Sequence, residues 1–493
     1  MSAIDTATGV PLSLRSLRRI RVEVLAGLVV ALALIPEALA FSVIAGVDPR
    51  VGLFSAVTMA ITISLTGGRR AMISAATGAV ALVIAPLVAS HGVQYLIATV
   101  LLAGVLQVAL ALAGVAKLMR FIPRSVMIGF VNALAILVVL AQLPELIGVP
   151  WAVYPLVLGA LALLILGPRV LKAVPAPLVA IVLLTIIVAV ASLSVPTVAD
   201  KGELLTSIPP LMLPDVPATL ETLRIIFPYA LSMAAVGLLE SLLTAKLVDD
   251  ITDTRSSKTR EAWGQGVANL VTGLFGGMGG CAMIGQTMIN VKMSGARTRL
   301  STFLAGFFLL LLVLLAGDLV GMIPMAALVA VMIHVSILTF NWHSITPATL
   351  RRLPKSETAV MLITVAVVVA TNNLAIGVGA GVLAAMVLFA RRVAHFVRVT
   401  RVVEGDGKDA SAKYTVRGEL FFASSNDLYT QFDYARDPSR VEIDLSASHL
   451  WDASTVAVLD SITDKYRRMG TEVSIVGLNE ASANMRTRLS GNL

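Results

Sequence analysis

Apolar runs of about 20 residues recur from residue 22 to residue 396, the length a helix needs to cross a bilayer. Fourteen spans are predicted, several of them short, centred near residues 32, 59, 82, 103, 132, 160, 184, 236, 270, 289, 308, 328, 363 and 382. The segment 195–220, VPTVADKGELLTSIPPLMLPDVPATL, is too polar and proline-rich to span and links two halves of seven spans each. Near residue 397 the pattern changes. VRGELFFAS, VEIDLSA and EVSIVGL then read as strands, and STVAVLDSITDKYRRMG between the last two as an amphipathic helix. Strands alternating with helices predict a small α/β domain. The expected fold is a polytopic α-helical membrane protein. An N-terminal segment covers residues 1–20, and a transmembrane domain covers 21–396, in repeats of about 21–195 and 221–396. A soluble domain covers 397–493.

Composition supports this reading. The 493 residues are 57% hydrophobic and 14% charged, against about 25% charged in soluble domains. The first 21 residues are polar and basic and the apolar run after them is too long for a signal-peptide core, so no cleavable signal is expected. One cysteine, Cys281, allows no intramolecular disulfide. The net charge of +8 reflects loop chemistry rather than nucleic-acid binding, because Lys and Arg gather in cytoplasmic loops. With an inward N-terminus, the predicted inner loops hold Arg18, Arg19, Arg69, Arg70, Arg120, Lys172, Arg351, Arg352, Lys355, Arg391 and Arg392, among others. The predicted outer side holds only Arg50, Lys201 and Arg224. This places both termini and the soluble domain in the cytoplasm.

The first span, within VLAGLVVALALIPEALAFSVIAG (24–46), carries one charge, Glu37, directly after Pro36. A charge at the bilayer centre costs at least about 2.5–3.5 kcal/mol on insertion scales, so an intramembrane carboxylate is functional by default. Pro36 removes the backbone bond to Leu32 and predicts a kink, opening the helix around a polar cavity. Desolvation favours the neutral carboxyl, which suits a proton carrier or a neutral donor to an anion. The plainer alternative is a packing role. The eighth span, LSMAAVGLLESLLTAKL, also has a lone glutamate, Glu240, with Ser241 nearby and Thr244 one turn on. Carboxylate and hydroxyl oxygens suit a small hard cation; alternatively those hydroxyls merely satisfy a buried carboxylate.

The third and tenth spans are too short to cross alone, and both adjoin small-residue stretches, SAATGA (74–79) and GLFGGMGGCAMIGQ (273–286). Short spans in matching positions of two halves point to a transporter site. A helix that starts inside the membrane aims unpaired N–H groups and a positive dipole end into the protein. Two such ends would hold an anion without a basic side chain. Thr77, Gly78, Ala79 and Val80 would open one helix; Gly285, Gln286, Thr287 and Met288 the other. With Gly276–Gly280, a tight loop between helices is the competing reading. His91, His334, His343, His395 and His449 show no metal-ligand spacing. No P-loop, G-x-S-x-G or H-E-x-x-H occurs, so neither ATP-driven transport nor these enzyme classes is supported.

AGLVVALALIPEALAFSVIAGVDPRVGLFSA, ISAATGAVALV, GQGVANLVTGLFGGM and GARTRLS resemble signatures of the SulP (sulfate permease) anion transporters, and the tail resembles their STAS domain. The resemblance spans roughly residues 20–490. It implies a seven-plus-seven inverted repeat with a core domain (spans one to four and eight to eleven) and a gate domain (five to seven and twelve to fourteen). The anion would sit between the third and tenth helix N-termini. By position, Glu37, Phe41, Thr77, Ala79, Val80, Gln286 and Thr287 fall on its substrate site, and Glu240 falls where sodium-coupled bacterial members have a cation site. Two departures stand out. Ala75-Ala76 replaces a frequent Gly-Pro, and Gln286-Thr287 replaces the Ser-Arg of some animal members, leaving less fixed positive charge. A co-transported cation would supply it, which favours symport. WDASTVAVLD resembles the STAS loop and helix start, and Ser454 falls where some soluble relatives are phosphorylated. Asp452 or Ser454 acting as a plain helix cap is the favoured alternative.

The reading is a non-enzymatic secondary active anion transporter of the inner membrane. It is expected to be a homodimer, working by alternating access and needing no cofactor or metal beyond a coupling ion. That ion is H⁺, carried by Glu37, or Na⁺, held at Glu240 with Thr244. Sulfate, bicarbonate and small dicarboxylates are the candidate anions. The alternatives are an exchanger without cation coupling, an anion channel, which would show a continuous polar stripe, and a sensor that signals through its tail.

Overall fold

The computed structural model describes residues 12–117, 122–170, 176–202, 207–394, 397–405 and 410–490. Residues 1–11 of the N-terminal segment, Arg120, Lys172 and His395 lie outside the described residues. The chain forms two compact units, residues 1–382 and 383–493.

In the first unit, α1 (Leu12–Ala45) and α2 (Pro49–Thr66) are followed by a two-residue strand β1 (Ser74–Ala75) and α3 (Gly78–Leu112). Then come α4 (Arg124–Gln142), α5 (Val153–Val170), α6 (Ala176–Val190), α7 (Leu220–Thr252) and α8 (Lys258–Leu274). A second two-residue strand, β2 (Cys281–Ala282), leads into α9 (Ile284–Met288), which continues as a π turn over Ile289–Met293. α10 (Arg299–Gly321), α11 (Met325–Thr339), the short α12 (Pro347–Arg352), α13 (Lys355–Thr371) and α14 (Leu374–Ala394) complete the helices. The third and fourth predicted spans are one helix, α3, broken at Gly92, whose φ of 81° only glycine adopts readily. With its two limbs counted separately, and α12 left aside, each predicted span centre falls on its own helical segment. Seven of the described helices are long and apolar enough to cross a membrane by themselves.

Helix starts follow from local side chains. Thr219 caps α7 by accepting from the Thr222 N–H, and Ser257 caps α8 by accepting from the Arg260 N–H. The buried Glu23 reaches across from α1 and accepts from the N–H groups of Arg297 and Thr298, at the start of α10. Arg299 and Arg260 donate to the last carbonyls of α2, those of Ser64, Leu65, Thr66 and Gly67, as a helix C-terminus favours. The linker is not free chain: Val198 and Met325 exchange backbone bonds with Ile323 and Pro196, and the Met212 N–H donates to the Leu274 carbonyl.

Two groups of helices result. α1, α2, α3, α7, α8 and α10 pack on one another; α4, α5, α6, α11 and α13 form the other group; α1 touches α6 and α11 between them. These are the core and gate sets of the expected fold. The helix opening expected at Pro36 is absent. α1 runs on through Pro36 to Ala45, so the backbone bond lost at the proline does not end the helix. The helical structure is interrupted instead at Gly92 within α3, at Ala316 within α10, and ahead of α3 and α9, where β1 and β2 form.

The second unit contains a four-stranded sheet, ordered β3 (Arg398–Glu404), β4 (Ser411–Leu420), β5 (Arg440–Leu450), β6 (Glu472–Val476). β3 is antiparallel to β4, while β4–β5 and β5–β6 are parallel. α15 (Phe422–Leu428) and α16 (Ala453–Arg468) make the crossovers, and α17 (Glu480–Leu489) follows β6. Tyr414, Ile443, Leu445, Leu459, Ile462 and Tyr466 are in its core. Part of VRGELFFAS is helix rather than strand. Asp452 accepts from the Phe422 N–H and Ser424 from the Phe421 N–H, and these bonds, one local and one from 30 residues on, end β4 and start α15.

Candidate functional site

β1 and β2 pair antiparallel, Ser74 with Ala282 and Ala75 with Cys281. Each strand leads within a few residues into a helix, so antiparallel pairing sets α3 and α9 running in opposite directions. Their N-termini face each other across the ladder, bringing two positive dipole ends to one place. The crossing is tight. A Cβ on Gly280 would come 1.9 Å from the Ala75 carbonyl oxygen, so that position requires glycine. Asn269 of α8 clamps it, accepting from the Gly280 N–H at 2.9 Å and donating to its carbonyl at 3.0 Å.

Thr77 is the N-cap of α3, its Oγ1 accepting from the Val80 N–H at 3.4 Å. The next first-turn donors, on Gly78 and Ala79, have no acceptor inside the helix. The Phe41 ring of α1 lies over this helix end: a Cβ on Gly78 would sit 2.8 Å from it. Glu37, one turn before Phe41, is in side-chain hydrogen-bonding contact with Gln286 of α9. Phe41, Thr77, Ala79, Val80 and Gln286 are all buried and Glu37 is half-buried. The two helix ends, Phe41, Glu37 and Gln286 therefore come together at the ladder, with Gly285 exposed in the first turn of α9 and Lys292 exposed further along the tenth span. A cavity of 450 Å³, lined by Thr185, Ser192, Thr197 and Asp318 among others, involves none of these residues.

Other sequence-predicted residues stand elsewhere. The Thr287 hydroxyl accepts from the Ile73 N–H at 3.0 Å and donates to the Ile73 carbonyl at 3.4 Å. It ties α9 to the residue before β1, and its one donor is spent there. Thr244 donates to the backbone carbonyl of Glu240, and Ser241 accepts from the Ala282 N–H. Neither hydroxyl meets the Glu240 carboxylate. Its partner is Cys281, whose Sγ lies 3.0 Å from Oε2. Cys281 was missed at the sequence level. Its one signal is that the chain's single cysteine sits in the small-residue run between the two candidate helices.

In the second unit, Asp452 caps α16, accepting from the Thr455 N–H and hydroxyl. Ser454 is exposed in the first turn. Among the described residues no group of three or more His, Cys, Asp or Glu side chains is placed to hold a metal ion.

The sequence profile of the sulfate permease family matches residues 20–155 and 149–364, and that of the STAS domain matches residues 402–491. YbaR of Bacillus subtilis is 50% identical over 471 residues, covering 96% of this chain and 97% of YbaR. The bicarbonate transporter BicA of Picosynechococcus is 29% identical over 418 residues, covering 77% of this chain and 71% of BicA. Among solved structures, the transmembrane domain of a cyanobacterial BicA superposes with a TM-score of 0.65 at 28% identity, covering 75% of this chain and 98% of that domain. Murine Solute Carrier 26 family member A9, an anion transporter in the inward-facing state, gives a TM-score of 0.82 at 16% identity. It covers 95% of this chain and 87% of that one, a likeness of fold.

Proposed function

The chain belongs to the sulfate permease family of anion transporters, and from that membership we propose that it carries a small anion across the inner membrane by alternating access, in symport with a cation. The observation that carries this reading is the pair of helix N-termini, that of α3 buried, facing each other across the β1–β2 ladder. Such ends offer backbone N–H groups and positive dipole to an anion without a basic side chain. The site is covered by Phe41 and flanked by Glu37. A site built at two helix ends suits a carrier that exposes it alternately, whereas a channel needs a continuous polar path.

Three features support cation coupling. No arginine stands at Gln286 or Thr287, so the site has little fixed positive charge to offset an incoming anion. Glu37 adjoins the helix ends and would carry a proton. Glu240 lies behind the ladder and would hold sodium, with its carboxylate as the only side-chain oxygen offered there by Glu240, Ser241 and Thr244. The anion is sulfate, bicarbonate or a small dicarboxylate. The protein works as a homodimer with both termini in the cytoplasm. Exposure of Ser454 in the first turn of α16 leaves it open to phosphorylation, where a phosphate would meet a favourable dipole end.

The test is uptake of labelled sulfate, bicarbonate, fumarate and succinate into liposomes carrying the purified protein, under an inward proton gradient, a sodium gradient or neither. Proton-driven uptake that is lost in Glu37→Gln assigns the coupling to Glu37. Sodium-driven uptake that survives Glu37→Gln moves the coupling to Glu240. Uptake indifferent to both gradients would replace symport with exchange.

A further inference from the structure

We propose that Cys281 is a positioning residue that couples cation loading at Glu240 to the anion site at the start of α3, by reversing the direction of a buried hydrogen-bond chain. The inference rests on the symport reading above. The chain runs from the Val80 N–H to Thr77 Oγ1 at 3.4 Å, from Thr77 Oγ1 to Cys281 Sγ at 3.1 Å, and from Cys281 Sγ to Glu240 Oε2 at 3.0 Å. Thr77, Cys281 and Glu240 are all buried. They come from three elements: the cap of α3, strand β2 and helix α7.

Donor arithmetic fixes the direction. A carboxylate only accepts and a thiol has one proton. With Glu240 ionised, the S–H must point at Oε2. The sulfur can then only accept from Thr77, so the Thr77 O–H points away from the mouth of α3. A proton on Glu240 lets the neutral carboxyl itself donate to the sulfur, and a sodium ion seated on the thiol side of Oε2 would displace the S–H from it. The S–H then turns to Thr77 Oγ1 as its remaining acceptor. The Thr77 O–H is released to the space ahead of Gly78 and Ala79, adding one donor to those that face an anion. Only the S–H and O–H bonds rotate, and no proton leaves its heavy atom. By linkage, an anion that takes the Thr77 O–H strengthens cation binding at Glu240 equally. One net hydrogen bond is worth about 1 kcal/mol, or about fivefold in affinity.

Because the chain has a single cysteine, its S–H stretching band in the infrared reports this one bond. In the purified full-length protein, the band should shift in Glu240→Gln and on adding sulfate or bicarbonate to the wild type. A band that ignores Glu240→Gln would sink the proposal. The second arm measures KM for the transported anion in liposomes at low and saturating cation. Wild type and Cys281→Ser, which keeps one donor and an acceptor, should show KM falling about fivefold as cation saturates. Cys281→Ala should still transport, with a smaller KM response to the cation than wild type, because only the charge of the cation then couples the two sites. An undiminished response in Cys281→Ala, or a response in Cys281→Ser diminished as much as in Cys281→Ala, overturns the coupling role while leaving symport intact. Cation-independent uptake by the wild type overturns symport and this coupling together.

Discussion

Glu37 and Glu240 occupy matching spans of the two halves, yet they keep different company. Glu37 meets the Gln286 side chain beside the helix ends, and Glu240 meets a thiol behind the ladder. The sequence reveals both carboxylates, because a charge in an apolar run is conspicuous. It does not reveal their partners. The hydroxyls at Ser241 and Thr244, close to Glu240 along the helix, bond backbone instead, and the actual partner lies 41 residues on. Helical periodicity places residues on one face but cannot say which neighbour comes to meet them. Phe41 offers a sharper test of the site. Phe41→Ala removes the ring that covers Gly78 and should cost about 3–5 kcal/mol, as for other buried aromatics. We expect a lower melting temperature in detergent and a raised KM for the anion; unchanged KM would place the anion away from this helix end.

Three of the elements that build the site, β1, β2 and α9, are among the smallest in the fold. β1 and β2 have two residues each, and α9 has five before its π turn. Helix α9 with that turn, over residues 284–293, spans only about 15 Å at 1.5 Å per residue. Apolar runs predicted the long helices well, since each must bury or expose its length to lipid. The ladder was not legible, because two-residue strands have no periodicity to read. The clue was indirect, in the small residues of 74–79 and 273–286. Small side chains permit backbones to cross, and Gly280 under the Ala75 carbonyl is the tightest such point. Gly280→Ala should therefore force the ladder apart. At least about 1–3 kcal/mol of stability should be lost, and anion uptake abolished, even in preparations that elute as a sharp peak by size exclusion. Normal uptake in that variant would mean the helix ends need no ladder. The strand candidate VRGELFFAS failed for a different reason: β-prone Phe421 and Phe422 are overruled by side-chain bonds from Ser424 nearby and from Asp452, 30 residues on.

At the scale of the whole molecule, orientation and the soluble unit each carry a prediction. Charge asymmetry predicts Lys355 inside and Lys201 outside. Because the native Cys281 is buried, cysteines introduced as Lys355→Cys or Lys201→Cys can be read singly with a membrane-impermeant thiol reagent on intact cells. Only Lys201→Cys should be labelled, and the reverse pattern would invert the topology. In the soluble unit, Asp437 accepts from the Tyr414 and Tyr466 hydroxyls and from Arg401. Burial, followed by the bond to Asp437, raises the Tyr466 phenol above its ordinary 10.0; burial raises Tyr414 and Tyr434 as well. A raised folded-state value stabilises the fold fully below the unfolded value and is lost as pH climbs past it. The STAS unit should thus loosen above about pH 10, seen as faster deuterium uptake across β4–β6 in a pulse given after incubation at each pH. Constant uptake up to pH 12 would refute the buried phenol cluster. The anion site has a different kind of vulnerability. Main-chain N–H groups are common to every residue except proline, so most side-chain substitutions leave this binding chemistry in place. Natural selection would then retune cargo by altering the gap between two helix ends, through packing residues that never touch the anion. Relatives could diverge in what they carry while their ligand-facing atoms remain the same.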